Sequence, residues 1–171
     1  MTAAMGGSVT ATVRAAYALP SDVALHESGH VVGDIAAGVS IRSVEIDRRS
    51  GAGLVRVGVS RHVPDLWALL VAHLSGLVAE SFFTGGNLQS RECADLAHAR
   101  EVAVRLLGMT DRRSIDVLVS EANVAAWRFV CENQAAIAPL AYELDERGRL
   151  TGAECKAIVG TVTAIPARRA W

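Results

Sequence analysis

The chain has 171 residues, of which 51% are apolar, 20% are charged and 5% are aromatic. This is the composition of an ordinary globular protein, and it excludes a disordered or collagen-like chain. The 17 basic and 18 acidic residues give a formal net charge of −1, so the totals show no electrostatic footprint for nucleic acid or an anionic membrane.

The N-terminal residues, the cysteines and the lack of a long apolar stretch predict a single soluble, cytoplasmic domain. Residues 1–14 are small and polar without periodicity, which predicts a flexible arm ahead of one domain over 15–171. The arm lacks the charged start and apolar block of a secretory signal. The three cysteines are widely spaced and form no C-x-x-C pair, which favours reduced thiols: Cys93, Cys131 and Cys155. The most apolar stretch, 66–79, is too short to cross a bilayer.

The first predicted elements are a helix and a hairpin. Ser21 is an N-cap residue ahead of a helical pattern that Gly38 stops. Short β-rich runs follow at 41–47 and 54–59, with a turn-rich segment between them. This order predicts an antiparallel hairpin directly after the first helix.

The rest of the chain is predicted to be helical. Asp65 opens a second helix, which ends at a Thr-Gly-Gly-Asn turn over 84–87. Three further helices are predicted over about 92–107, 114–131 and 137–147. Thr151 and Glu154 form a capping box that begins a short last helix. The predicted fold is therefore mainly α with a small β hairpin, in the α+β class.

The chemistry of the sequence is concentrated in the first helix, which contains the H-E-x-x-H pattern as His26-Glu27-Ser28-Gly29-His30. Residues four apart share one helix face, so both imidazoles can reach one zinc ion while Glu27 reaches the water on it. Zinc lowers the pKa of that water towards about 7, and a neighbouring carboxylate can take its proton. Chance would place the pattern in roughly one such chain in a hundred. The motif predicts a zinc site of a hydrolase.

A catalytic zinc site needs a third protein ligand and one open position. No third histidine follows at the H-E-x-x-H-x-x-G-x-x-H spacing, which excludes that class of metalloprotease. The remaining acidic and thiol candidates are Asp34, Glu80, Glu92, Cys93 and Asp95. A straight helix carries Asp34 past the metal, and a glutamate in the position of Glu80 is more often a hydrogen-bonding core residue. Cys93 and Asp95 point about 200° apart, so only one can face the metal, and periodicity leaves the choice open.

Three histidines lie outside the motif. His62, His73 and His98 are each more typical of structural or surface positions than of metal ligands. His98 lies one turn after Asp95 and can line the same cleft.

Several segments, in order, resemble the peptidase domain of the FtsH-type ATP-dependent zinc metalloproteases. They are HESGH at 26–30, SVEIDRRSGAGLVRV at 43–57, LSGLVAESFFTGG at 74–86, ADLAHAREVAVRLLGMT at 94–110 and CENQAAIAPLAYELDERGRLTGAE at 131–154. Each segment is weakly specific alone, whereas their order and spacing together are fairly specific. The similarity extends over about 23–159.

The resemblance implies a zincin-like metal helix packed in a helical domain. It implies that Asp95 is the third zinc ligand beside His26 and His30, and that Glu27 is the general base. The family normally carries a membrane anchor and an ATPase module, but this sequence contains no spanning segment and no G-x-x-x-x-G-K-[ST]. The expected activity is hydrolysis of peptides or unfolded proteins without its own ATPase, or with an ATPase partner in trans. The family's ring-forming habit implies a homo-oligomer.

Two alternative functions fit the same residues. One is a catalytically silent zinc-binding adaptor or oligomerisation module. The other is a regulatory peptidase specific for one partner protein. The presence of Glu27 favours an enzyme, because binding zinc requires only the ligands. In either enzyme, a substrate peptide is expected to lie extended against the edge of the hairpin.

Overall fold

The structure is a computed structural model that describes residues 19–59, 65–86 and 94–168. In these ranges the elements are, in chain order, α1 (Asp22–Ala36), β1 (Ile41–Asp47), β2 (Ala52–Val57), α2 (Leu66–Thr84), α3 (Ala94–Leu107), α4 (Arg112–Arg147), β3 (Arg149–Thr151) and α5 (Gly152–Val159). The predicted fold class, mainly α with a small β element, is confirmed. The predicted arm over 1–14 lies outside the described residues.

The predicted helix ends are confirmed where local side chains define them. The Ser21 hydroxyl accepts a hydrogen bond from the Ala24 amide at the start of α1. The Asp65 carboxylate accepts one from the Trp67 amide at the start of α2. α2 ends at Gly85, whose φ of 68° is the left-handed conformation that glycine adopts without strain.

α2 is the central helix of the fold. It has 19 residues, and a window of 18 of them has a mean hydropathy of 1.6, so the helix is long and apolar enough to cross a membrane by length and composition alone. This corrects the prediction that the apolar stretch over 66–79 is too short to do so. More than half of the helix is nevertheless buried inside the protein, where it packs against α1, α3 and α4. Leu70, Val71 and Val78 are fully buried. The apolar circumference of α2 is therefore that of a core helix.

α4 corrects the prediction of two separate helices over 114–131 and 137–147. It is one continuous helix of 36 residues with Pro139 inside it. Proline lacks the amide hydrogen for the helical ladder and costs about 3 kcal/mol in a helix interior. Phe129, Ile137, Leu140 and Leu144 are fully buried on both sides of that point. Each such side chain contributes about 1.5–3 kcal/mol when buried, which offsets the cost of the proline.

The sheet contains the predicted hairpin and one strand that was not predicted. Its order is β2-β1-β3, and both pairings are antiparallel. β2 begins earlier than the predicted run over 54–59 and ends at Val57. β3 has three residues, too few for an alternating pattern, and it is placed by pairing with β1. The predicted capping box of Thr151 and Glu154 follows it and is confirmed. β2 is left at the edge of the sheet beside α1.

Candidate metal centre

The HESGH motif lies where α1 crosses α2 with the backbones of the two helices in close contact. A Cβ atom added to Gly29 of α1 would lie 2.4 Å from the Ser75 carbonyl oxygen of α2. A Cβ atom added to Gly76 of α2 would lie 2.3 Å from Nε2 of His30. Only glycine fits at such approaches, so these two residues allow the His30 ring to lie against the α2 backbone. The HESGH motif is visible in the sequence, whereas this contact between helices is not.

Three of the predicted site residues converge on one point. Nε2 of His26 lies 3.1 Å from Nε2 of His30 and 3.0 Å from Oδ2 of Asp95. Nε2 of His30 lies 3.3 Å from Oδ1 of Asp95. Four ligands held tetrahedrally at about 2.0–2.1 Å from a zinc ion lie about 3.3–3.4 Å from one another. The two histidine nitrogens, and each nitrogen with its nearer Asp95 oxygen, are therefore separated by about the distance between two ligands of one zinc ion.

The other nitrogen of each imidazole has an acceptor. Nδ1 of His26 lies 3.1 Å from Oε2 of Glu80, and Nδ1 of His30 lies 3.2 Å from the carbonyl oxygen of Ala72. With a metal bound at the centre, these acceptors would hold the proton of each neutral ring on Nδ1 and leave the Nε2 lone pairs for the metal. Glu80 thus orients His26 from outside the cluster, as expected for a hydrogen-bonding glutamate. No sequence signal pointed to Ala72.

The cluster fits a cation because it gathers acceptors. When both rings carry their proton on Nδ1, two Nε2 lone pairs and the Asp95 carboxylate face one another. Burial alone would lower the pKa of His30, but the hydrogen bond and charge of Asp95 raise it above its usual value. Burial opposes ionisation of Asp95, yet the two imidazoles hold the pKa of its carboxyl well below the usual range. A positive charge at this point is therefore favoured.

Glu27 lies beside the cluster of His26, His30 and Asp95 but is not one of its members. Glu27 is buried, with 7% of its surface exposed. Burial raises the pKa of Glu27, while the charges of His30 and His26 act in the opposite direction. A buried carboxylate with a raised pKa accepts a proton more readily at neutral pH than an exposed one does. Its position and environment suit the predicted role of general base.

The remaining candidates lie elsewhere. Glu92, Cys93 and His62 fall outside the described residues. His73 and His98 form a separate pair with ring centroids 5.9 Å apart, and neither belongs to the cluster. Burial lowers the pKa of His73, and the charges of His30 and His98 add to that effect. Asp34 is also outside the cluster, as the straight helix predicts.

Asp34 provides a test of the electrostatics around α1. Burial raises the pKa of its carboxyl from 3.8 to about 6. Ionising Asp34 is thus harder in the folded than in the unfolded protein, so stability falls as the pH rises from about 4 to 6 and the full penalty is present above that range. We expect Asp34→Asn to raise the free energy of unfolding of the metal-free protein by about 1–3 kcal/mol at pH 7, measured by urea denaturation.

The gain from Asp34→Asn is expected to fade as the pH falls towards 4. Asp47→Asn is the matched control, and it is expected to change the free energy of unfolding in the opposite direction. Hydrogen bonds from the Arg49 amide and the Ser50 hydroxyl lower the pKa of Asp47. An equal gain in the free energy of unfolding at pH 4 and pH 7 would show that the pKa of Asp34 is not raised by folding.

The centre is built from α1 and α3, with α2 supplying the hydrogen-bond acceptors that orient the rings. Two imidazole nitrogens and one carboxylate oxygen form a donor set found in catalytic zinc sites. Neither a protein-family model nor a curated protein sequence matches the chain.

Proposed function

We propose that the chain is a zinc-dependent metalloendopeptidase, similar to the peptidase domain of the FtsH-type proteases, that hydrolyses peptide bonds of unfolded or flexible polypeptides. The convergence of His26, His30 and Asp95 with a buried glutamate beside them carries this proposal. We further propose that the protein is cytoplasmic. In support, Cys131 and Cys155 are free thiols.

Each residue has one task in this proposal. His26, His30 and Asp95 would hold the zinc ion, and three protein ligands would leave one position for water and substrate. When bound, zinc supplies Lewis acidity towards a carbonyl oxygen and lowers the pKa of water. Glu27 accepts a proton from the attacking water on its carboxylate and returns it to the leaving amine. Glu80 and the Ala72 carbonyl keep the two rings in orientation.

The edge strand β2 provides a surface for the substrate backbone. Among the described residues it pairs only with β1, so its second edge offers free amide and carbonyl groups. Leu54 and Val57 on this strand are about half exposed. An extended peptide can add to such an edge through main-chain hydrogen bonds, which demand little of its sequence. This supports activity on many unfolded chains over recognition of one partner.

The proposal predicts that the zinc-loaded chain cleaves a permanently unfolded substrate such as reduced casein and leaves a stable folded protein intact. Folded domains are typically stable by about 5–15 kcal/mol, which keeps their cleavable segments hidden almost all the time. ATP is expected to change neither rate. Cleavage is measured by mass spectrometry of the fragments, before and after zinc is removed with a chelator.

Zinc restored to the chelated protein should restore cleavage. Rapid digestion of the folded substrate would contradict the proposed substrate class. Failure to cut any unfolded substrate, with zinc bound stoichiometrically, would instead favour the adaptor or oligomerisation module. Cleavage of one protein from a cell extract and no other would favour the regulatory peptidase.

A further inference from the structure

Gly53 of the edge strand lies directly over the carboxylate of Glu27. It pairs with Ile46 of β1 and is itself exposed. A Cβ atom added to Gly53 would lie 2.3 Å from both Cγ and Oε1 of Glu27, and 2.4 Å from its Cδ. Non-bonded carbon and oxygen atoms do not approach this closely. Any side chain at this position must therefore move Glu27 or lift β2.

No other feature of Gly53 calls for glycine. Its φ lies outside the left-handed region, so the backbone conformation is open to every residue. A glycine inside a strand is less stable than alanine by roughly 0.5–1 kcal/mol and often marks the close approach of another group. Gly58, which follows the end of β2, has more space around its Cα atom than Gly53 has. A Cβ atom there would lie 3.3 Å from the nearest atom, Oγ of Ser40.

We propose that Gly53 is the positioning residue of Glu27. Because Gly53 has no side chain, β2 packs directly on the glutamate and restricts it to the position beside His26 and His30. The kinetic consequence rests on the proposed peptidase function, whereas the steric coupling between the two residues does not.

The kinetic test is a double-mutant cycle. Gly53→Ala is expected to lower kcat on an unfolded substrate by about 10–100-fold, since displacing a reacting group by about 1 Å costs up to that factor. Zinc stoichiometry should change little, because the three atoms nearest to the added Cβ all belong to Glu27 and not to His26, His30 or Asp95. In a Glu27→Gln background the same substitution should cause no further loss. Losses that multiply would show that Gly53 acts independently of Glu27 and would overturn the proposal.

A thermal cycle tests the contact without any activity. Gly53→Ala is expected to lower Tm in the presence of Glu27 and to leave it unchanged or raise it in a Glu27→Ala background, where the space is free. Gly58→Ala is the matched control, with the same small shift in both backgrounds. A Gly53→Ala variant that fails to fold, together with a folded Gly53→Ala/Glu27→Ala variant, gives the same support.

The two cycles separate the possible failures. An equal fall in Tm for Gly53→Ala in both backgrounds overturns the positioning role, whatever the activity. A clear Tm coupling in a protein that cleaves nothing supports the contact and overturns the peptidase function alone.

Discussion

Replacing Glu27 with Gln is expected to lower kcat/KM for an unfolded peptide substrate by at least about 100-fold, the low end of general acid–base contributions. The amide is nearly isosteric with the carboxylate but cannot take a proton from water. Fold and zinc content should be retained, because Glu27 is not among the three residues proposed to hold the metal. A quenched fluorescent peptide gives the rate, and elemental analysis gives the zinc content of the same sample.

Glu132→Gln is the matched control for this variant. Glu132 lies on the exposed side of α4, where it pairs with Arg128, so its loss should leave the rate unchanged. Equal activity of Glu27→Gln and the wild type would exclude Glu27 as the general base. Equal activity that also persists after chelation would point to a contaminating protease.

Replacing Asp95 with Ala is expected to weaken zinc binding by at least about 100-fold. The loss of a residue that only orients a ligand typically costs 10–100-fold in metal affinity, and loss of a ligand should cost more. Asp95 is the one member of the cluster that α3 contributes, so His26 and His30 would remain as two ligands on one helix. Competition with a chromogenic chelator measures the dissociation constant at fixed pH.

Asp116→Ala is the control for Asp95→Ala, since Asp116 lies on the surface of α4 and forms ion pairs with Arg100 and Arg112. We expect that control to bind one zinc ion per chain with unchanged affinity. Stoichiometric zinc with unchanged affinity in Asp95→Ala would assign the third ligand to another of the candidates, Glu80, Glu92 or Cys93.

The sequence predicted well those features that depend on residues close together in the chain. The N-caps Ser21 and Asp65 and the Thr151–Glu154 capping box depend on side chains within a few positions of the backbone groups they satisfy. The helix end at Gly85 depends on the backbone freedom of that one residue. The HESGH motif is also a local feature, because the helical repeat alone places His26 and His30 on one face of the helix.

The sequence pattern within a segment failed to predict two features that depend on packing against distant parts of the chain. The continuity of α4 past Pro139 depends on the core that Ile137 and Leu140 enter, and β3 exists because β1 provides a partner for Thr151 and its neighbours. Neither feature has a signal within its own segment. Both arise from contacts between elements that are far apart in sequence.

The sequence by itself thus determined a mainly helical chain and the helix face that carries both His26 and His30. Tertiary structure alone brought Asp95 to that face, turned Glu80 towards Nδ1 of His26 and placed Gly53 over Glu27. The physical reason is distance along the chain. Periodicity says which way a side chain points from its own helix or strand, but the meeting of separate elements depends on how their surfaces pack together.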